Sequence, residues 1–208
     1  MKVYVIAMDC EAECVVSKLE GAAERRVFGR RVVEGSLRGE SAAVVVSGVG
    51  KSNAAAATQL AICEFRADEI VNLGVCGGVE AGMKAGDLYE VSQAVQYDFD
   101  LAQLNGTSVG VLNERATPYI PLATDGRFPA KTLATGDSFN DDPSEIPLLR
   151  SLGAGLRDME GAAIAHVCET AGVRCRSLKC VSDIIGAGCT AQYAKNLAGC
   201  LAILSDAV

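Results

Sequence analysis

The stretch AAVVVSGVGKSNAAAATQLAICEF, residues 42–65, decides the fold class of this chain. Its first six residues are small or β-branched and predict a buried strand. Gly48 and Gly50 predict a tight turn, and the alanine-rich residues 51–65 predict a helix. A buried strand that turns directly into a helix is the repeating unit of α/β proteins.

The turn of this unit, SGVGKS at residues 47–52, ends like a phosphate-binding P-loop. A P-loop requires glycine where this chain has Val45, and the dinucleotide fingerprint requires glycine where it has Asn53. The sequence therefore contains neither nucleotide motif. Two interpretations stay open: a tight turn before a helix, or a turn whose backbone N–H groups face a small polar ligand group.

Strands and helices alternate on both sides of this unit, and the chain contains no linker, repeat or low-complexity segment. Further strands are predicted at residues 3–7, 31–37, 69–73, 88–95, 131–135, 155–158 and 176–181, and further helices at 11–19, 160–171 and 192–205. Residues 38–40 predict a hairpin turn, and 101–129 predict loops with short pieces of structure. We expect one α/β domain over residues 1–208, with a mixed, mostly parallel sheet and a site at the carboxyl ends of its strands.

Charge and composition exclude several classes of function. The chain has 208 residues, 19 basic against 26 acidic side chains and a net charge of −7, with half of its residues hydrophobic. A nucleic acid or an acidic membrane surface would be repelled by this charge. The apolar start of the chain is too short for a signal peptide and is followed by acids. We expect a compact cytoplasmic protein with no nucleic-acid or membrane partner.

The cysteine pattern predicts reduced thiols and no metal site. The nine cysteines form no CxxC pair and lie mostly in apolar strand or helix patterns, where a thiol behaves as a small hydrophobic group. His166 is the only histidine, so zinc ligand sets are poorly supported. His166 is placed within a predicted helix and is interpreted as a packing or surface residue. We expect no metal and no cofactor.

Three acidic residues, far apart in sequence, are predicted to lie just after strands. Glu11 follows the first strand, Glu160 follows residues 155–158, and Asp183 follows residues 176–181. Each alone is compatible with a capping role at a helix start or turn. Because strand ends of a wound sheet converge on one cleft, the three together, beside a glycine-rich loop, favour a functional site.

Five short motifs in the same order resemble the nucleoside phosphorylase/nucleosidase superfamily, and most closely the methylthioadenosine/S-adenosylhomocysteine nucleosidases. They are Ala7-Met8 with Glu11, SGVGK at 47–51, NLGVCGG at 72–78, DME at 158–160 and VSD at 181–183. The resemblance implies a three-layer α/β/α sandwich that forms homodimers or larger homo-oligomers. It also implies hydrolysis of the N-glycosidic bond of purine nucleosides, in particular 5′-substituted adenine nucleosides, with release of the free base.

The resemblance implies a role for each matching residue. Glu11 matches the general base that activates water, and Asp183 matches the acid that bonds the purine at N7 as it leaves. Glu160 matches the carboxylate that binds the ribose hydroxyls. The implied substrate-binding set is Met8, Val49, Val75, Gly77, Phe139 (stacking on the base), Asn140, Met159 (packing on the sugar), Glu160 and Ser182 (holding Asp183). This chemistry is coherent in itself, because breaking a glycosidic bond needs an acid at the leaving group and a base for water.

The choice between water and phosphate rests on Asn72. Phosphorylases of the superfamily commonly carry an arginine there, and an amide does not replace a guanidinium that must bind a dianion. Water is therefore favoured, although Arg25, Arg26, Arg30 and Arg31 stay as possible phosphate ligands.

Other positions depart from the nucleosidase pattern. Val75 replaces a serine, Lys179 replaces an arginine, and Asn140 replaces an apolar residue. The region of Leu101, Leu104 and residues 118–121 matches the part that shapes the pocket for the 5′ substituent. A purine nucleoside phosphorylase, another purine nucleoside hydrolase and a non-catalytic nucleoside-binding module remain as alternatives.

Overall fold

A computed structural model describes all residues, 1–208, and contains ten strands and six helices. The strands are β1 (Lys2–Ile6), β2 (Glu20–Val27), β3 (Arg30–Leu37), β4 (Glu40–Val46), β5 (Glu69–Gly78), β6 (Leu88–Gln96), β7 (Ile120–Pro121), β8 (Ala130–Thr135), β9 (Ala154–Asp158) and β10 (Arg174–Ile184). The helices are α1 (Asp9–Val16), α2 (Lys51–Phe65), α3 (Ala102–Asn105), α4 (Ile146–Ser151), α5 (Gly161–Ala171) and α6 (Cys189–Ala207). No helix has the length and apolar character needed to cross a bilayer.

All ten strands belong to one mixed sheet. Its order is β10-β6-β8-β9-β5-β1-β4-β3-β2, with β7 paired to β6 and β10 paired to β5 as well. The pairings β5–β9, β9–β8, β8–β6, β6–β10 and β10–β5 return to the first strand and close a small barrel within the sheet. Closure leaves these strands without open edges.

Helices cover the sheet on both faces, which makes the expected three layers. On one face, small residues of α2 and α5 such as Ala54, Ala57 and Ala162 are buried in the larger hydrophobic cluster. On the other face, α1 and α6 contribute Val15 and Leu204 to a second cluster. Alanine side chains let α2 pack closely on the sheet, and the helix ends where Arg66 adopts a left-handed conformation with φ 48°.

The parallel strands β4, β1, β5 and β10 bring their carboxyl ends to one side of the sheet. The registers Ile6↔Val46, Val5↔Asn72 and Val181↔Cys76 fix these ends relative to one another. The segments that follow β1 and β4 and the last residues of β5 and β10 are consequently neighbours. This edge is where ligand sites of open α/β sheets lie.

The sheet is mixed, as expected, with five parallel and five antiparallel strand pairings. The structure corrects two other expectations. The polar strand β2 was not predicted: it lies at the exposed edge and is joined to β3 by the ion pairs Arg25–Glu34 and Arg31–Glu24. Strands β5 and β10 are longer than predicted. All nine cysteines are free thiols.

Candidate active site

A cavity of about 290 Å³ lies at the carboxyl edge of the sheet, among the turns after β1, β4 and β9 and the ends of β5 and β10. Ten of the eleven residues implied by the resemblance line it: Met8, Glu11, Val49, Val75, Gly77, Phe139, Met159, Glu160, Ser182 and Asp183. Ala7, Cys76, Arg157, Asp158 and Tyr193, to which the sequence analysis assigned no role, complete the lining. The three acids that lie far apart in sequence therefore share one cavity.

Glu11 is the buried acid at the β1 end of the cavity, with 3% of its surface exposed. Its Oε1 accepts a 2.8 Å hydrogen bond from the Val75 backbone N–H, and its Oε2 accepts one of 3.2 Å from Met8 N–H. The second bond is a capping contact at the start of α1, so Glu11 both caps this helix and lines the cavity. Burial raises the pKa of Glu11 despite these two donors and the charge of Lys179.

A buried ion pair between Lys179 and Asp158 lies at the wall of the cavity. Lys179 Nζ is 2.8 Å from Asp158 Oδ2, and both side chains are 2% exposed. Asp158 Oδ1 also accepts a 2.6 Å hydrogen bond from Thr135 Oγ1. Burial alone would lower the pKa of Lys179, but the charges of Asp158, Glu160 and Glu11 outweigh it and raise that pKa. The positive charge of Lys179 therefore interacts with three carboxylates, those of Asp158, Glu160 and Glu11.

Glu160 precedes α5 and is held by the turn that resembles a P-loop. Its Oε1 accepts a 2.8 Å hydrogen bond from the Gly50 backbone N–H, and the next N–H, of Lys51, donates to Asp137 Oδ1 at 2.7 Å. These two amides therefore bind carboxylates of the same chain. Burial and the neighbouring Asp158 raise the pKa of Glu160 to about 7.

Asp183 is the acid that β10 contributes to the lining. The strand continues to Ile184, so Asp183 lies within it and the interpretation as a cap after the strand is wrong. A bulge at Ser182 separates the pairs Val181↔Cys76 and Asp183↔Gly77. Ser182 Oγ donates a 2.6 Å hydrogen bond to Asp183 Oδ1, whereas Oδ2 is buried without a partner. Burial raises the pKa of Asp183.

Two aromatic rings form one wall of the mouth. Phe139 and Tyr193 meet edge to face with centroids 5.7 Å apart, and Phe139 is half exposed. The Tyr193 hydroxyl is 3.5 Å from Met8 Sδ. Burial raises the pKa of Tyr193, and the charges of Glu11 and Asp183 add to the effect. Tyr193 was missed because no motif marks it. It lies in the first turns of α6, the helix that follows β10, and residues at such a position commonly face a site.

Asn140 is the one implied residue that does not line the cavity. Its amide nitrogen donates to Ser138 Oγ at 2.8 Å and to Glu145 Oε1 at 2.9 Å. Its backbone carbonyl oxygen accepts a 2.6 Å hydrogen bond from Arg157 Nη2. These bonds connect Asn140 with Arg157 and Glu145 of the chain itself, and its expected contact with substrate stays a prediction.

Other residues considered from the sequence lie outside the cavity. The Asn72 amide is buried in the sheet, donating to the Val5 carbonyl and accepting from Ser177 Oγ. None of Arg25, Arg26, Arg30 and Arg31 lines the cavity. Leu101, Leu104 and residues 118–121 do not line it either. His166 Nε2 is 3.0 Å from Glu114 Oε1, away from the cavity. No group of three or more His, Cys, Asp or Glu side chains is arranged to hold a metal ion.

Comparison with known proteins places this arrangement in a family. Residues 3–200 match the family model of the phosphorylase superfamily. The 5′-methylthioadenosine/S-adenosylhomocysteine nucleosidase of Geobacillus kaustophilus (strain HTA426) is 32% identical over 201 residues, covering 89% of this chain and 86% of the relative. The protein of the same name from Halalkalibacterium halodurans is also 32% identical over 201 residues, covering 90% and 87%.

Solved structures agree on the fold. The nucleosidase of Neisseria meningitidis in complex with methylthio-immucillin-A superposes with a TM-score of 0.90 at 25% identity, covering 98% of this chain and 95% of that one. A mutant nucleosidase of Helicobacter pylori with 5′-methylthioadenosine in its active site gives a TM-score of 0.92 at 22% identity, covering 99% and 94%. The chain belongs to the phosphorylase superfamily and, within it, to the 5′-methylthioadenosine/S-adenosylhomocysteine nucleosidase family.

Proposed function

We propose that this protein hydrolyses the N-glycosidic bond of purine nucleosides and releases the free base. The curated relatives are named for 5′-substituted adenine nucleosides, and these are the first substrates to consider. One observation carries the proposal: Glu11 and Asp183, two buried carboxyls whose pKa values are raised, line the same cavity without a contact between them. Cleavage of a glycosidic bond needs a base on one side of the sugar and an acid at the leaving group.

Glu11 is proposed as the general base. Two backbone N–H groups hold its carboxylate in one orientation, so no conformational search precedes proton transfer. Its raised pKa makes it a better proton acceptor than an exposed glutamate, while Lys179 keeps the ionised form accessible. Glu11 would take a proton from the water that attacks C1′ of the ribose.

Asp183 is proposed as the leaving-group acid. Ser182 fixes Oδ1, and the unpartnered Oδ2 is the atom that can carry a proton toward N7 of the purine. The raised pKa favours the protonated form of Asp183, from which the proton would pass to N7 as negative charge develops on the departing base. Protonation at N7 makes the purine a better leaving group.

The remaining lining residues are proposed to bind the substrate between these two groups. Glu160, oriented by Gly50, would accept hydrogen bonds from the ribose hydroxyls. Met159 would pack on the sugar and Phe139 on the base. Met8, Val49, Val75 and Gly77 would complete the walls.

The site favours water over phosphate as the nucleophile. Asn72 is hydrogen-bonded inside the sheet, and no arginine of the β2–β3 hairpin lines the cavity. Arg157 lines it next to Asp183 and not next to Glu11, where the nucleophile would stand. At the Glu11 end, a phosphate dianion would therefore lie near the carboxylates of Glu11, Asp158 and Glu160, with no guanidinium to bind it.

The test is release of free base from a panel of nucleosides, with and without phosphate, by the wild-type protein and by Glu11→Gln. We expect release without phosphate, reduced by about 10²–10⁴-fold in Glu11→Gln, whose amide cannot accept the proton. Strict dependence on phosphate would instead identify a phosphorylase. Failure to cleave any nucleoside, with binding retained, would identify a nucleoside-binding module.

The proposal extends to assembly and location. We infer a homodimer, in which a second copy covers the mouth of the cavity, where Val49 and Phe139 are about half exposed. We also infer one domain over residues 1–208, a cytoplasmic location and a role in methionine salvage. Sedimentation at working concentrations tests the dimer, and a monomer alone would contradict it.

A further inference from the structure

Phe139, the ring proposed to pack on the base, lies in a segment with few main-chain hydrogen bonds. Residues 136–142 follow β8 and belong to no helix or strand. Within residues 138–140, the only main-chain group that forms a hydrogen bond is the Asn140 carbonyl, which accepts from Arg157 Nη2 at 2.6 Å. The ring is half exposed and meets Tyr193 edge to face. The main chain at the ring is therefore held by one residue, Arg157.

The side chain of Arg157 is itself fixed in place. It is 4% exposed and belongs to β9, where the backbone of Arg157 pairs with Gly77 of β5. Nη1 donates to Glu145 Oε2 at 2.9 Å and to Asn140 Oδ1 at 3.3 Å, so both terminal nitrogens are engaged. A planar guanidinium bonded through both terminal nitrogens keeps its partners in a fixed relation, which a lysine cannot do. Arg157 thus attaches the segment that carries Phe139 to the sheet.

The same arginine lies beside the proposed leaving-group acid. A Cβ atom built on Gly77 would stand 3.2 Å from Asp183 Oδ2 and 4.0 Å from Arg157 Nε, so both side chains approach one glycine. Asp141, the next residue of the segment, accepts hydrogen bonds of 2.8 Å from two backbone N–H groups in the turn directly after β10. The Phe139 segment is therefore attached both to β9 and to the end of the strand that carries the acid.

We propose that Arg157 is a positioning residue that holds the Phe139 ring against the base while Asp183 faces N7. This inference rests on the proposed function, because it takes Phe139 to pack on the purine. Arg157 touches no reacting atom in this role and acts through the Asn140 carbonyl and the segment that carries the ring. Packing on the base is present before and during bond cleavage, so it strengthens substrate binding without accelerating the chemical step. Loss of Arg157 should therefore raise KM and leave kcat nearly unchanged.

The test is a double-mutant cycle on 5′-methylthioadenosine, with wild type, Arg157→Met, Phe139→Leu and Arg157→Met/Phe139→Leu. In the wild-type background we expect Arg157→Met to raise KM roughly 10-fold, as for a weakened contact between an aromatic ring and a base. In the Phe139→Leu background the same substitution should change KM by less than about 2-fold, because the ring that Arg157 positions is absent. In Arg157→Met, kcat should stay nearly unchanged, since Glu11 and Asp183 keep their hydrogen-bond partners.

Two further variants separate positioning from folding. Arg157→Met leaves Glu145 without its partner, whereas Arg157→Met/Glu145→Met removes both charges. The second variant should melt at a higher temperature than the first, with KM still raised. Arg176→Met is the matched control, because it removes an ion pair with Asp125 on the same sheet, outside the cavity. It should leave both KM and kcat at their wild-type values.

The positioning proposal is overturned if Arg157→Met raises KM by the same factor with and without the Phe139 ring. It is also overturned if kcat falls as much as KM rises, or if Arg157→Met/Glu145→Met restores the wild-type KM. Absence of base release by the wild-type protein would instead reject the proposed function.

Discussion

Gly74 leaves room for the carboxylate of Glu11: a Cβ atom at residue 74 would stand 2.7 Å from Glu11 Oε1, closer than real Cβ contacts. Gly74→Ala should therefore displace this oxygen from Val75 N–H and lower turnover while the sheet stays folded. We expect a loss in kcat of at least about 10-fold, since small displacements of a reacting group are costly. Steady-state kinetics together with thermal melting measure both effects.

Gly199→Ala is the matched control for this substitution. Gly199 lies in α6, and a Cβ atom there would have no neighbour within 4 Å. Alanine in a helix interior should stabilise the protein by about 0.5–1 kcal/mol and leave the kinetics unchanged. Unchanged turnover in Gly74→Ala would show that the position of Glu11 Oε1 does not matter.

Asp183→Asn should separate acid catalysis from binding. The amide keeps the size and a donor, so substrate affinity should weaken modestly while the chemical step slows on the order of 10²-fold. A nitrophenyl riboside, whose leaving group needs no protonation, should lose much less. Asp206→Asn is the control, because Asp206 is an exposed residue of α6 that does not line the cavity. Equal losses on both substrates would make Asp183 a structural residue.

Lys179→Met should shift the pH dependence of catalysis. Lys179 lowers the pKa values of Glu11 and Glu160, so its removal raises both further and moves the acid limb of kcat/KM to higher pH. Loss of the partner of Asp158 should also cost about 3–5 kcal/mol of stability. Lys179→Arg, which keeps the charge, should restore the wild-type profile. An unshifted acid limb in a folded Lys179→Met protein would contradict this role.

Glu160 should make the protein less stable as pH rises. Its pKa is raised from 4.5 to about 7 in the folded state. Between pH 4.5 and about 7, the folded protein therefore keeps a proton on Glu160 that the unfolded chain has released. Stability from this group is therefore present below about pH 4.5 and is lost as pH rises toward 7, by up to about 3 kcal/mol.

Urea unfolding at several pH values measures this loss in the wild-type protein and in Glu160→Gln, which cannot ionise. We expect a flatter dependence in Glu160→Gln between pH 4.5 and about 7, and no change in Glu40→Gln, an exposed position on β4. Identical pH dependence in wild type and Glu160→Gln would show that the buried carboxylate is not the cause.

The three acids could be predicted because the strand pattern and the motifs around them are local features of the sequence. Arg157 and Tyr193 could not, because neither belongs to one of these motifs, although Arg157 directly precedes the DME motif. The partners of Arg157, Asn140 and Glu145, come from a separate segment, and only the fold brings them together. Strand β2 was missed for a related reason: its residues are polar and exposed, and ion pairs with β3 replace the hydrophobic alternation that predicts strands.

Because of the bulge in β10, the direction of the Asp183 side chain depends on how many residues precede it in the strand, as well as on which residues these are. Ser182 is the extra residue of the bulge, and it is also the one that donates to Asp183 Oδ1. Without it, the alternation of side chains along the strand would turn residue 183 toward the opposite face. Substitutions at this point can therefore change the site by different degrees. An insertion or deletion of one residue, in contrast, would turn the acid out of the cavity in a single step.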